Sequence, residues 1–205
     1  MAPAAASSNL DLLDWRRRVA ALYAAVRAEA VPSAAHALWR RGRDELMREH
    51  PESPLLPGDE LRRAGIPYWR YDPALRFELE LETTGEPATL ELSTGGTETT
   101  ALSRIGVLAL PPPLEATLDV WWMEQYAGGV FLPLRDGTAG TTSYGGGRYL
   151  LDTAKGADLG SDGSRLVVDL NFLYHPSCRY NADWVCPLAP PGNVIAQPVQ
   201  AGERL

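Results

Sequence analysis

The chain has 205 residues, of which 45% are hydrophobic and 22% charged, and its formal net charge at pH 7 is −7. Such an acidic chain lacks the basic footprint of a general nucleic-acid binder, and no hydrophobic run reaches the roughly 18 residues of a membrane span. Glycine and proline, with 19 and 17 residues, favour a turn-rich fold over a helical bundle. The N-terminus lacks the pattern of a secretory signal, so we expect a cytoplasmic protein.

Two amphipathic helices are predicted in the first 50 residues. Within residues 9–30 the hydrophobic side chains recur at helical spacing, at Trp15, Val19, Leu22 and Val26. Pro32 interrupts this pattern, and Ser33 is a suitable cap for a second helix that runs to about Glu49. Residues 51–75 contain too many prolines for a long regular element.

From Arg76 onward, hydrophobic and polar residues alternate with a period of two, which predicts strands with one exposed face. The clearest case is RFELELET at residues 76–83. Turns at Gly85-Glu86-Pro87 and Gly95-Gly96 are expected to join it to the next two strands. The later strands are predicted at 88–94, 97–110, 117–124, 129–134, 147–152 and 165–171.

These elements predict a mainly β fold, either an antiparallel β-barrel or a strongly bent sandwich. We expect the two N-terminal α-helices to pack on it and an irregular, proline-rich tail, residues 176–205, to lie over the sheet. One domain is expected over residues 1–205, with the helices in 1–50 and the β core in 70–175.

The first polar segment, residues 131–152, contains more charged and glycine residues than strands and turns require. The glycine run 145–147 lets the backbone approach a ligand or another strand closely. One interpretation is a hairpin with an internal ion pair, Arg135–Asp136 or Arg148–Asp152. The other is that Arg135 and Arg148 present their guanidinium groups to a carboxylate or phosphate.

The second polar segment, residues 169–193, holds both cysteines, Cys178 and Cys186. They are candidates for a disulfide, although a cytosolic setting disfavours one. His175 is close enough in sequence to join them in a metal site or to serve as the base for a nucleophilic cysteine, but the spacing is a weak metal signal. The remaining possibility is two buried structural cysteines.

Three aspartates, Asp136, Asp152 and Asp169, lie near predicted strand ends. Paired carboxylates at such positions would suit glycoside hydrolysis. Nothing in the sequence brings two of them together.

Four runs in this order resemble the domain of unknown function 1684 family of bacterial proteins: HPESPL, YDPALRF, FLPLRDGTAGTTSYGGGRYLLDT and LNFLYHPSCRYNADWVCPLAPPGN. The resemblance covers nearly the whole chain, from about Trp15 to Glu203, and carries no established activity. It implies that the polar residues of both segments, together with Cys178, Tyr180 and Cys186, belong to the family pattern. At the position of His175 that pattern commonly has asparagine, which counts against a family role for either His175-based site.

The sequence therefore predicts a protein that binds a small anionic molecule, and that molecule is expected to carry a carboxylate or a phosphate. Two arginines and several amides are costly to bury without a partner, so an arginine-lined pocket is expected to hold it. If the protein is an enzyme, the acid and base are expected to be Tyr144 and Asp136. The residues predicted to bind the substrate are Arg135, Arg148, Asn171, Tyr180 and Asn181.

Two alternatives belong to other classes of protein. One is a flavin-binding split-barrel oxidoreductase, for which the only phosphate-binding candidates are Arg135, Arg148 and the glycines. The other is a non-catalytic binding or scaffold protein, in which the polar residues hold the tail on the sheet and Cys178 and Cys186 are structural. No cofactor, metal, nucleic acid or membrane partner is predicted.

Overall fold

The structure is a computed structural model, and it describes residues 5–83, 88–93, 99–124 and 126–205. The predicted N-terminal helices are present, and a single helical turn follows them: α1 at Ala5–Ala28, α2 at Pro32–Glu49 and α3 at Leu61–Ala64. Helix α2 begins two residues earlier than a cap at Ser33 predicts. Pro32 occupies its first turn, and no side chain caps it, because Ser33 already lies inside the helix.

Eight strands form in the described residues, seven of them where the alternating pattern predicts strands. They are β1 Arg76–Glu80, β2 Thr89–Ser93, β3 Thr99–Leu110, β4 Ala116–Met123, β5 Val130–Leu134, β6 Arg148–Asp152, β7 Ser161–Asp162 and β8 Arg165–Asp169. The short β7 was not predicted, because two residues carry no periodicity. The predicted turns at Gly85-Glu86-Pro87 and Gly95-Gly96 lie outside the described residues.

The strands form two antiparallel sheets. One has the order β1-β8-β7 and the other β2-β3-β4-β5-β6. In the described part of the chain β2 and β6 are not hydrogen-bonded to each other, so the predicted closed barrel is wrong. The observed arrangement is compatible with the bent sandwich, in which two sheets enclose the core between them.

The two sheets meet beside β3. The backbones of Glu82 and Val107 exchange two hydrogen bonds, of 3.0 and 2.9 Å. A register shift between Arg104 and Gly106 marks a bulge at the same place. A Cβ atom on Gly106 would lie 2.7 Å from the Glu82 carbonyl oxygen, so this close approach requires glycine.

The main hydrophobic core lies between the sheets and extends beneath α1 and α2. Trp39 of α2 is fully buried, and its indole nitrogen donates to the Tyr23 hydroxyl at 3.2 Å. Core residues of β3, β4, β5, β6 and β8 complete this cluster. Among the helices that the structure describes, none is long and apolar enough to cross a membrane.

Candidate functional site

A cavity of about 180 Å³ lies between α1, the end of β6 and the irregular segment 174–186. Aromatic rings dominate its walls, and Leu12, Val19 and Met47 add apolar surface. The aromatic residues that line it are Trp15, Tyr23, Tyr149, Tyr174 and Trp184. This is the kind of concave, mostly apolar site in which proteins hold small molecules.

Helix α1 covers the cavity because the turn after β6 lets it approach closely. Gly156 has φ 89°, and a Cβ atom there would lie 3.1 Å from Ala20 of α1. Arg27, near the end of α1, donates to the Asp158 carbonyl at 2.6 Å. The helix is therefore fixed above the cavity at the turn that leaves β6.

Asp152, the last residue of β6, lines the cavity and is only 2% exposed. Its Oδ2 atom lies 3.3 Å from Lys155 Nζ. Its buried Oδ1 atom has no hydrogen-bond partner within the described part of the chain. A buried carboxylate oxygen without a donor costs free energy, so this atom marks a place for a ligand donor.

Two exposed cations, Arg16 of α1 and Lys155, also line the cavity. Since both side chains reach solvent, they place positive charge at its open side. An anionic group would be attracted there.

A buried polar network adjoins the cavity and centres on Glu203. Its carboxylate accepts from Arg43 Nε, from the His175 backbone N–H at 2.6 Å and from the Tyr180 hydroxyl at 3.0 Å. Burial alone would raise the pKa of Glu203, but Arg43 and His175 hold it below its ordinary value. Sequence reasoning missed Arg43 and Glu203, which lie 160 positions apart.

Arg148 is fully buried, and its hydrogen bonds go to the tail. Its guanidinium donates to the carbonyl oxygens of Val199 at 2.9 Å, Glu203 at 3.0 Å and Ala201. It also pairs with Asp136 Oδ2 at 2.7 Å. We call this group the tail brace, because it ties the C-terminal segment to β6.

Both carboxylate oxygens of Asp136 accept hydrogen bonds. Its Oδ1 atom accepts from Val199 N at 3.0 Å and from both the backbone N–H and the hydroxyl of Thr138. Burial would raise the pKa of Asp136, yet the Arg148 cation and these hydrogen bonds keep it below its ordinary value. The ion pair of Arg148 is with Asp136 and not with Asp152. Arg148 and Asp152 lie four residues apart on β6, which separates their Cα atoms by about 13 Å.

The two buried asparagines also hold loops in place. Asn171 exchanges hydrogen bonds with the backbone of Asp72, both at 2.8 Å. Asn193 donates to the carbonyls of Asp119 and Pro133 and accepts from Trp121 Nε1 at 2.7 Å. Asn193 was not predicted, since nothing in the sequence distinguishes it from an ordinary turn residue.

Of the remaining predicted residues, Arg135 and Asn181 interact with nearby backbone groups, whereas Tyr144 lies beside Cys178. Arg135 is exposed and donates to the Gly145 carbonyl at 2.9 Å, while Asn181 accepts from the Asp183 backbone N–H within its own turn. The Tyr144 hydroxyl lies 4.0 Å from Cys178 Sγ. Of the nine predicted site residues, only Cys186 lines the cavity. Arg135 and Arg148, the two arginines predicted to bind the ligand, do not line this cavity.

Both cysteines are free thiols, and they interact with each other. Their mutual interaction lowers the pKa of Cys186 and raises the pKa of Cys178. His175 accepts from the Tyr144 backbone N–H through Nε2, at 3.2 Å. In the described residues no three His, Cys, Asp or Glu side chains are grouped to hold a metal ion.

These features define a mainly β protein of two antiparallel sheets, with a helical layer that covers a small cavity. The chain belongs to the family described as Protein of unknown function (DUF1684), whose family model matches residues 63–204. That confirms the predicted family. The match begins after α1 and α2, so the helical side of the cavity lies outside it.

A similar solved structure is the solution NMR structure of an uncharacterized protein from Haloarcula marismortui. It shares 29% sequence identity and a TM-score of 0.57, over 81% of this chain and 90% of that protein. No curated protein matches the chain. The comparisons therefore support the family and the mainly β fold.

Proposed function

We propose that the protein binds a small aromatic acid in the cavity beneath α1, with a hydroxyl or amino group of the ligand donating to Asp152 Oδ1. The observation that carries the proposal is that Asp152 lines the cavity and has one buried carboxylate oxygen without a partner among the described residues. An N–H or O–H of a ligand would satisfy it in a bond strengthened by the carboxylate charge.

The walls favour an aromatic body. Five aromatic side chains surround the space, and ring contacts of this kind are directional as well as hydrophobic. A buried water takes about 10–15 Å³ of such space, so a volume of about 180 Å³ holds a molecule of up to about twelve to eighteen non-hydrogen atoms.

The open side favours an anionic group. Arg16 and Lys155 lie there, and Lys155 already pairs with Asp152 through Oδ2, which leaves Oδ1 for the ligand. This keeps the anionic ligand that the sequence predicts, but at a different place in the fold. The flavin alternative depends on a split barrel, and the described strands do not form one.

Para-hydroxyphenylacetate is expected to bind with a measurable heat and to change the fluorescence of Trp15 and Trp184, which line the cavity. Phenylacetate lacks the donor, and para-cresol lacks the anion, so both are expected to bind more weakly. The Asp152→Asn variant is expected to lose about tenfold in affinity for para-hydroxyphenylacetate, because a neutral amide oxygen accepts less strongly. Isothermal titration calorimetry measures each affinity.

Matched variants separate the cavity from general charge effects. Arg16→Ala is expected to weaken binding about threefold, whereas Arg17→Ala, next to it on α1 and away from the cavity, is expected to leave it unchanged. Asp162→Asn, which changes an exposed aspartate outside the cavity, is the matched control for Asp152→Asn and is expected to leave binding unchanged. Equal binding of all three probes, or no binding of any, would contradict the proposal.

A further inference from the structure

We propose that the cavity beneath α1 takes an aromatic 2-oxo acid and that Lys155 binds its carbonyl carbon covalently, as an imine. The inference rests on the proposed function for the ring and the anionic group of the ligand, and it adds a carbonyl group to them. It is carried by a lysine held against a buried carboxylate, both of which line the cavity.

Lys155 is the only lysine in the sequence. An arginine at this position would supply the same positive charge, but its guanidinium stays protonated and does not attack a carbonyl group. A lysine amine attacks one once it has lost a proton. The side chain at this position therefore permits a reaction that the arginines around the cavity do not.

The backbone around Lys155 is held in a tight loop. Asp152 and Ala157 exchange two backbone hydrogen bonds, both of 3.0 Å, and the 3₁₀ turn Thr153–Lys155 lies between them. Gly156, in the left-handed region, completes the loop. This loop places the amine beside the end of β6, with Nζ 3.3 Å from Asp152 Oδ2.

The two side chains of this pair differ in their contact with water. The Lys155 side chain is 51% exposed, so its amine exchanges protons with solvent, whereas the Asp152 side chain is 3% exposed. Asp152 Oδ1 has no hydrogen-bond partner in the described residues. A hydroxyl group on a carbon bonded to Nζ would lie within reach of this carboxylate and would donate to it.

The rest of the cavity selects the carbonyl compound. Its aromatic walls suit a ring, and Arg16 lies with Lys155 at the open side, where it attracts a carboxylate. A carbonyl group next to that carboxylate would lie beside the lysine. An aromatic 2-oxo acid combines the three groups, and phenylpyruvate is small enough for a volume of about 180 Å³.

The reaction has two balanced steps. The neutral Lys155 amine attacks the carbonyl carbon, a C–N bond forms, and the carbonyl oxygen takes up a proton from the nitrogen, which gives a carbinolamine whose hydroxyl donates to Asp152. The nitrogen then forms a second bond to the same carbon, and the hydroxyl leaves as water with the last proton of that nitrogen. No electrons are gained or lost, and water reverses both steps.

The test incubates the full chain with phenylpyruvate and sodium cyanoborohydride, which reduces an imine to a stable amine, and locates the label by peptide mass spectrometry. Each label adds the mass of the acid less one oxygen atom. The competing amine is the α-amino group, and at pH 7.5 an ordinary α-amino group holds far more of the neutral form than an ordinary lysine does. Lys155 is nevertheless expected to carry about tenfold more label, because binding in the cavity raises the effective concentration of the carbonyl group.

Three controls show whether the cavity is responsible. Pyruvate, which lacks the ring, is expected to label the α-amino group in preference to Lys155. Para-hydroxyphenylacetate, which has no ketone, is expected to protect Lys155 and to leave labelling of the α-amino group unchanged. Arg16→Ala is expected to reduce labelling of Lys155 about threefold, whereas Arg17→Ala is expected to have no effect.

Different outcomes separate this inference from the proposed function. Label mainly on the α-amino group, or equal labelling of Lys155 by pyruvate and phenylpyruvate, would overturn the imine, and the proposed function would stand if para-hydroxyphenylacetate still binds. Selective labelling of Lys155 without binding of para-hydroxyphenylacetate would support the imine and contradict the proposed ligand. Lys155→Arg, with its melting temperature recorded, is expected to fold and to lose the internal label.

Discussion

Replacement of Arg148 with methionine is expected to lower the free energy of unfolding by about 3–5 kcal/mol. The change leaves the Asp136 carboxylate buried without its cation and removes the donor from three carbonyl groups of the tail. The methionine side chain has a similar length, so the decrease in the free energy of unfolding reflects the lost tail brace and not a newly created large cavity. Denaturant unfolding followed by circular dichroism gives the value.

Two further variants test the reason for this loss. Arg135→Met removes an exposed guanidinium with one hydrogen bond and is expected to cost no more than about 1 kcal/mol. The double variant Arg148→Met/Asp136→Asn is expected to be more stable than Arg148→Met alone, because no unpaired charge then remains buried. If Arg148→Met proves as mild as Arg135→Met, the tail brace does not stabilise the fold.

Acidification from pH 6.5 to pH 4 is expected to destabilise the protein strongly, because burial lowers the pKa of both His36 and His175 to about 4. The unfolded chain protonates them at the ordinary value of 6.5, so between these values it binds protons that the folded chain does not. The free energy of unfolding therefore falls as the pH falls. Each histidine contributes about 3 kcal/mol across the range.

Substitutions that remove the titrating groups isolate this effect. Gln can accept from the Tyr144 backbone N–H as His175 Nε2 does, and Asn is a smaller, uncharged polar replacement for the buried His36. The double variant His36→Asn/His175→Gln is expected to lose most of the pH dependence between pH 6.5 and 4. Unfolding curves at several pH values measure it, and an unchanged slope would contradict the assignment.

Local patterns in the sequence predicted the helices and strands well, and the alternation is clearest in strands that have one wet face, unlike the fully buried β6. In β1, for example, Phe77 and Leu79 face the core while Glu78 and Glu80 are exposed. The same patterns do not say which strands pair at the edges of a sheet. The barrel was therefore wrong, although its strands were right.

The chemistry of the polar residues was less predictable, because their partners come from distant parts of the chain. Arginine is a residue type that often binds anionic ligands, but the partners of Arg148 are Asp136 and the carbonyls of the tail. The sequence does not distinguish Asp152 from Asp136 and Asp169, and only the fold shows that it lines the cavity beneath α1. Cys186 was identified as a candidate residue, but only the fold shows that it lines the cavity beneath α1.

The position of the tail brace along the chain also sets an order for folding during synthesis. Arg148 is synthesised after its ion-pair partner Asp136 but some fifty positions before the tail carbonyls of Val199 and Ala201. Arg43 precedes its partner Glu203 by 160 positions. Until the tail docks, both guanidinium groups require water, so we expect the interior beside them to pack only after the tail is in place.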